Sequence, residues 1–145
     1  MTIKTEAMGL FEGINPPALG APRGFNHGLV VEPSWRLLFV AGQTAATVGG
    51  DVRDHTFVGQ FTEALDKTLA VVRAAGGSAE NIVRMTIYVT DIEAYRASRS
   101  CLNGVWRERM GRHYPAMALV AVTELVDRDA HVEIETTAAL PPLPR

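Results

Sequence analysis

Residues 82–90 alternate without a break: Val83, Met85, Ile87 and Val89 interleave with Arg84, Thr86, Tyr88 and Thr90. A period of two specifies an extended strand, because successive side chains point to opposite faces. One row is apolar and the other polar, so a sheet built on this strand has one face to bury and one that differs from it. Whatever flanks the strand must therefore lie over the apolar row.

The flanking segments have helical period. Before the strand, Phe57, Phe61, Leu65, Leu69 and Val72 recur at intervals of three to four. That run stops at Gly76-Gly77, where a residue without Cβ closes a helix C-terminus. After the strand, Asp91 is placed to cap a helix in which Tyr95, Leu102, Trp106 and Met110 share one side and which Gly111 ends. Residues 26–32 and 35–41 are short apolar runs divided by Pro33-Ser34, which predicts a hairpin, with Gly42-Gln43 ending its second strand. Beyond Pro115, residues 116–122 are apolar on both faces, the pattern of a central strand. In residues 131–139, Val132 and Ile134 oppose Glu133 and Glu135. The predicted order is β-β-α-β-α-β-β, a single α+β domain whose mixed sheet carries both helices on one face. The other face, with Thr86, Tyr88 and Glu133, has no cover from the helices, and such a sheet commonly completes its core by symmetric self-association.

Length and composition agree with one domain: the chain has 145 residues, 47% hydrophobic and 21% charged. Residues 1–24, with Pro16, Pro17, Pro22, Gly13, Gly20 and Gly24, suit an extended arm; the domain proper is expected over 25–140, and the Pro-rich tail 141–145 is an extended or disordered end. A net charge of −2 gives no electrostatic support for a nucleic-acid or membrane partner. Cys101 is the only cysteine, which fits a reducing compartment and a small buried hydrophobe better than a nucleophile. The opening MTIKTEAMGLFEG lacks the apolar core of a secretory signal, and no window approaches a membrane span, so a cytoplasmic location is expected. His27, His55, His113 and His131 are too scattered to suggest a metal site.

Three segments then carry a likeness. Leu37-Leu38-Phe39-Val40-Ala41-Gly42-Gln43, Ile82-Val83-Arg84-Met85-Thr86-Ile87-Tyr88-Val89-Thr90-Asp91, and Tyr114-Pro115-Ala116 followed by Val132-Glu133-Ile134-Glu135 stand in one order, with Ala74-Ala75-Gly76-Gly77 on the first helix. Over about residues 15 to 140 the chain resembles the Rid (RidA/YjgF) family. The resemblance implies a chorismate-mutase-like fold and a homotrimeric barrel with three clefts between subunits. It also implies hydrolysis of reactive enamines and imines to a carbonyl compound and ammonia, without metal or cofactor.

Carried over residue by residue, the resemblance makes Glu133 the catalytic carboxylate that positions water and Gly42 a backbone wall of the cleft. Ser100 becomes a contact from the second helix. Met117 stands where the family has a carboxylate-binding arginine, Leu119 where it has a cysteine, and Phe25, next to Asn26, where the arm has a tyrosine. A thioether offers neither charge nor donors, and losing a buried bidentate partner costs about 2–5 kcal/mol of binding. Each residue also has a plainer role: Glu133 as a solvated strand carboxylate, Met117, Phe25 and Trp106 as packing, His27 as a structural histidine rather than an acid for an enamine carbon. Arg23 and Arg112 flank the cleft segments and are candidates for the missing cation, though surface arginines serve as well.

Two functions follow. The first is a Rid-like hydrolase, a deaminase acting on an enamine or imine other than the usual 2-iminopropanoate. The alternative is a non-catalytic homotrimer that binds a small metabolite in its inter-subunit clefts. A ribonuclease, a name attached to parts of this family, has no basic groove here to support it.

Overall fold

The computed structural model describes residues 9–145, and the first eight residues of the expected arm lie outside the described residues. In chain order the elements are β1 (Glu12–Ile14), β2 (Gly28–Val30), β3 (Arg36–Gln43), α1 (Phe57–Ala74), β4 (Ile82–Val89), α2 (Ile92–Met110), β5 (Ala116–Ala121) and β6 (Val132–Leu140), with 3-10 turns at Pro17–Leu19 and Ala79–Asn81. Strands β3, β6, β4 and β5 form a mixed sheet in that spatial order. β6 runs antiparallel to both β3 and β4, whereas β4 and β5 are parallel and are joined by α2.

From Arg84 onward the alternating strand places its two rows as its sequence requires. A register shift between Ile82 and Arg84 puts Val83 in the Phe11 cluster and Ile82 in the helix-side one, against the alternation. Met85, Ile87 and Val89 lie in register with Thr136, Ile134 and Val132, and this face receives α1 and α2. Phe61, Leu65, Leu69 and Val72 of α1 meet Leu102, Trp106 and Met110 of α2 in the same apolar cluster. Leu65 and Leu69 are wholly buried, each contributing about 1.5–3 kcal/mol through removal of its side chain from water. The helix ends are made by the residues that specify them. Asp91 accepts from Glu93 N at 3.0 Å and Ala94 N at 3.1 Å, Thr56 caps α1 by accepting from Gly59 N at 3.1 Å, and Gly76 follows α1 at φ +87°.

Three expectations are corrected. The turn at Pro33-Ser34 exists, with Trp35 N donating to Glu32 O, but its flanking strands do not pair; β2 pairs with β1 of the arm. The reason is packing. Phe11 lies 5.0 Å from the Trp35 ring, and together they cover Val83 and Ala139, so the ribbon closes one end of the sheet face that the helices leave bare. Residues 116–122 are not central: β5 is an edge strand, and its two apolar faces mark surface that the chain does not itself cover. Cys101 is exposed on α2 rather than buried, because it lies off the face carrying Leu102 and Trp106.

The rest of the face opposite the helices stays open, with Phe39 75%, Leu37 55% and Val120 43% exposed. No helix among the described residues is long and apolar enough to cross a membrane. Pro141–Arg145 carries no regular structure; Pro141 O accepts from Arg36 Nε at 3.1 Å.

One buried amide ties the layers together. Gln60, fully buried on α1, donates to Asp129 O at 3.0 Å and accepts from His131 N at 2.6 Å, fixing the entry to β6. Gln60→Ala leaves both backbone groups without partners and is expected to cost about 2–4 kcal/mol in urea unfolding. A loss below about 0.5 kcal/mol shows that water replaces the amide freely.

Candidate functional site

Two pieces of the expected cleft are built on opposite faces of the sheet. Met117 and Leu119 are registered beside Met85 and Ile87, on the helix-covered face. Because β5 is an edge strand, α2 does not seal against it, and a cavity of about 260 Å3 opens between α2, β5 and the arm. Its wall includes Phe61, Ile87, Leu102, Met117 and Leu119; Arg23, Phe25, Tyr95, Arg99, Asn103 and Tyr114 also border it. Trp106 and Tyr114 stack within it, ring centres 5.7 Å apart and planes 7° from parallel.

The arm is clamped over this cavity by one side chain. Asn26 Nδ2 donates to Tyr114 O at 2.6 Å, Asn26 Oδ1 accepts from Asn15 Nδ2 at 2.7 Å, and Asn26 N donates to Pro115 O at 3.0 Å. An asparagine suits the place because it donates and accepts at once. Its role is to hold Phe25 and Arg23 at the cavity; it lines a neighbouring hollow together with Arg112.

Glu133 lies on the other face. It is registered beside Tyr88 on β4, and across from it β3 breaks register between Val40 and Gln43. That irregularity brings Gly42 so close that a Cβ there would stand 2.1 Å from Glu133 Oε1, so only glycine admits the carboxylate in this pose. Burial, with Asp127 and Glu135 adding to it, pushes the Glu133 carboxyl above the usual carboxylate range. Asp127 is itself held by the Thr44 hydroxyl at 2.5 Å, and Tyr88 OH donates to Glu135 at 2.8 Å, which raises the Tyr88 phenol. Glu133 forms no ion pair among the described residues. A half-buried carboxylate with neighbouring negative charge binds a proton more readily than a free one, which suits a proton acceptor.

The remaining candidates lie apart. His27 Nε2 faces Gly20 O at 3.2 Å within the arm and its ring meets Phe25 edge-on, 5.0 Å away. Ser100 is exposed on α2 and borders none of these hollows. Arg99 was not singled out by the sequence, although its spacing to Tyr95 and Asn103 on one helix side points to it. Among the described residues no group of three or more His, Cys, Asp or Glu is placed to hold a metal ion.

Comparison with known proteins matches residues 17–140 to the family model described as Endoribonuclease L-PSP; the match begins inside the segment expected as arm. A RutC family protein of Pyrococcus horikoshii is 32% identical over 107 residues, 70% of this chain and 77% of that protein. The crystal structure of a Rid family protein of unknown function, YyfB from Yersinia pestis, superposes with a TM-score of 0.76 at 27% identity, covering 90% of this chain and 98% of that one. TdcF of Escherichia coli, provisionally named a reactive intermediate deaminase, is 29% identical over 110 residues, 70% of this chain and 78% of TdcF. Its structure with bound serine superposes at a TM-score of 0.62, covering 82% of this chain and 90% of TdcF.

The environment of Glu133 has a consequence for stability. Its carboxyl is raised in the fold, so the folded protein favours the protonated form; this contribution is full below the unfolded-state value and is lost as pH rises through the folded one. Glu133→Gln is therefore expected to gain stability relative to the parent as pH rises from about 4 to about 7. Parallel stability curves for the two proteins across that range show that the carboxyl is unperturbed.

Proposed function

Because the chain belongs to the Rid family, whose model carries the description Endoribonuclease L-PSP, we propose that it hydrolyses a reactive imine or enamine to a carbonyl compound and ammonia, with Glu133 as the group that positions and deprotonates water. The observation that carries this reading is the Glu133 carboxylate seated against Gly42, raised by burial and by Asp127, and free of any cationic partner among the described residues. Water held there adds to the imine carbon while its proton passes to the carboxylate. That proton is passed to nitrogen, giving a carbinolamine; the carboxylate then relays the hydroxyl proton to the same nitrogen, and the C–N bond breaks with loss of ammonia as the C=O bond forms. His27, held within the arm, takes no part in this scheme.

Met117 is read as the counterpart of the family's carboxylate-binding arginine, and on that reading specificity differs from that of 2-iminopropanoate deaminases. A homotrimer working in the cytoplasm, without metal or cofactor, completes the proposal. Its support is the bare edge of β5 and the exposed Phe39 and Leu37, which a second copy would cover while carrying its own Glu133 face toward the cavity at Met117. The apolar wall of Met117 and Leu119 favours one rival, a non-catalytic homotrimer that binds a small metabolite in the same clefts. A ribonuclease is not favoured, since Asp127, Glu133 and Glu135 gather negative charge where a polyphosphate would need positive.

The purified protein is expected to speed ammonia release from imines generated in situ by an amino-acid oxidase, and Glu133→Gln is expected to lower that rate by about a hundredfold or more with the assembly unchanged. An unchanged rate in the variant removes Glu133 from the chemistry; no acceleration by the parent favours the binding protein. In sedimentation the parent is expected as three copies and Phe39→Glu as one, because a charge on that face cannot be buried unpaired. A monomeric parent sinks the shared cleft.

A further inference from the structure

The cavity beneath the arm has a charge that the chain as a whole lacks. Among the described residues its lining contains two arginines, Arg23 from the arm and Arg99 from α2, and no aspartate or glutamate, in a protein whose net charge is −2. Arg109, Arg96 and Arg36 are held by Asp66, Glu93 and Pro141 O, respectively; what sets Arg23 and Arg99 apart from the remaining arginines is that both border one cavity. Among the described residues neither Arg23 nor Arg99 forms an ion pair. The lining is otherwise largely apolar and aromatic, with Met117 and Leu119 and the stacked Trp106 and Tyr114. A ligand that satisfies both halves needs an anionic end and a flat apolar body. The volume, about 260 Å3, suits one aromatic ring with a short acid chain.

We infer that this cavity binds aryl-substituted carboxylates, with Arg23 and Arg99 receiving the carboxylate and the Met117 wall receiving the ring. The cation that position 117 lacks is supplied from the arm and the second helix, which moves the carboxylate to the mouth and frees the floor for an apolar group. Arg112 does not share the task, since it borders the neighbouring hollow. The inference deepens the proposed reaction and rests on that reading for turnover, naming its substrates as 2-imino acids with an aromatic side chain; the binding itself does not depend on it.

The test titrates the purified protein with 3-phenylpropanoate, its uncharged analogue 3-phenylpropanamide, and acetate. The carboxylate is expected to bind at least about tenfold more tightly than the amide, to weaken with added salt, and to bind far better than acetate. Arg99→Gln is expected to weaken it about fivefold or more, and Arg23→Gln with Arg99→Gln to reduce it to the level of the amide. Both side chains are exposed, so these substitutions spare the core. The indole N–H resonance of Trp106 is expected to move on binding while that of Trp35, which packs on Phe11, stays. Equal binding of acid and amide, an unaffected double variant, or a shift confined to Trp35 overturns the inference. Binding of the acid without turnover of 2-imino-3-phenylpropanoate leaves it standing and rejects the hydrolase; turnover of imines regardless of a carboxylate does the reverse.

Discussion

Two crossover helices can cover only one face of a four-stranded sheet, and the rest of this structure follows from that limit. The covered face takes Met85, Ile87, Val89 and Ile134 into a dry cluster with α1 and α2. The other is left to polar residues, the small ribbon of β1 and β2, and apolar side chains such as Phe39 that none of the described residues covers. Burial on one side gives stability; incompleteness on the other gives the surface on which association and chemistry are argued.

The division also separates the electrostatics. The open face carries Glu133, Glu135 and Asp127, close enough that each makes the ionisation of Glu133 harder. The cavity at the edge where α2 fails to close on β5 is bordered by Arg23 and Arg99 and, among the described residues, by no acid. In the proposed reaction these two places, brought together from two copies of the chain, would supply a cation for the substrate's acid group and a base for the attacking water. Asn26 links the arm to this scheme, since its hydrogen bonds to Tyr114 and Asn15 hold Phe25 and Arg23 over the cavity.

Much of the scaffold was legible from period and punctuation. The alternation through β4 fixed the sheet's two faces, the spacing of Phe61, Leu65 and Leu69 fixed the buried side of α1, and Asp91 and Gly111 marked the ends of α2. What escaped depended on tertiary choice. β1 is three residues around Gly13, too short for any period, and tertiary contacts, Phe11 against Trp35 and Asn15 with Asn26, select it as the partner of β2. The apolarity of β5 suggested a buried centre, but the strand is a half-exposed edge, because an apolar run does not say whether its cover comes from the same chain. In the site, Glu133 and Gly42 were named through the family resemblance and meet across the β3–β6 pairing, whereas Arg99 entered only through the shape of the cavity.

β6 holds the middle of the sheet between β3 and β4 yet comes last among the strands in the chain. On the ribosome, β3 therefore has no neighbour in the main sheet until residues 132–140 emerge, and α1 waits over an unfinished platform. The order of synthesis opposes early closure, so Val40 and Leu65 cannot reach their final packing against β6 until residues 132–140 have emerged. A chain built this way gains its sheet in one late step, which makes its folding cooperative and leaves little stable structure in any fragment that stops short of β6.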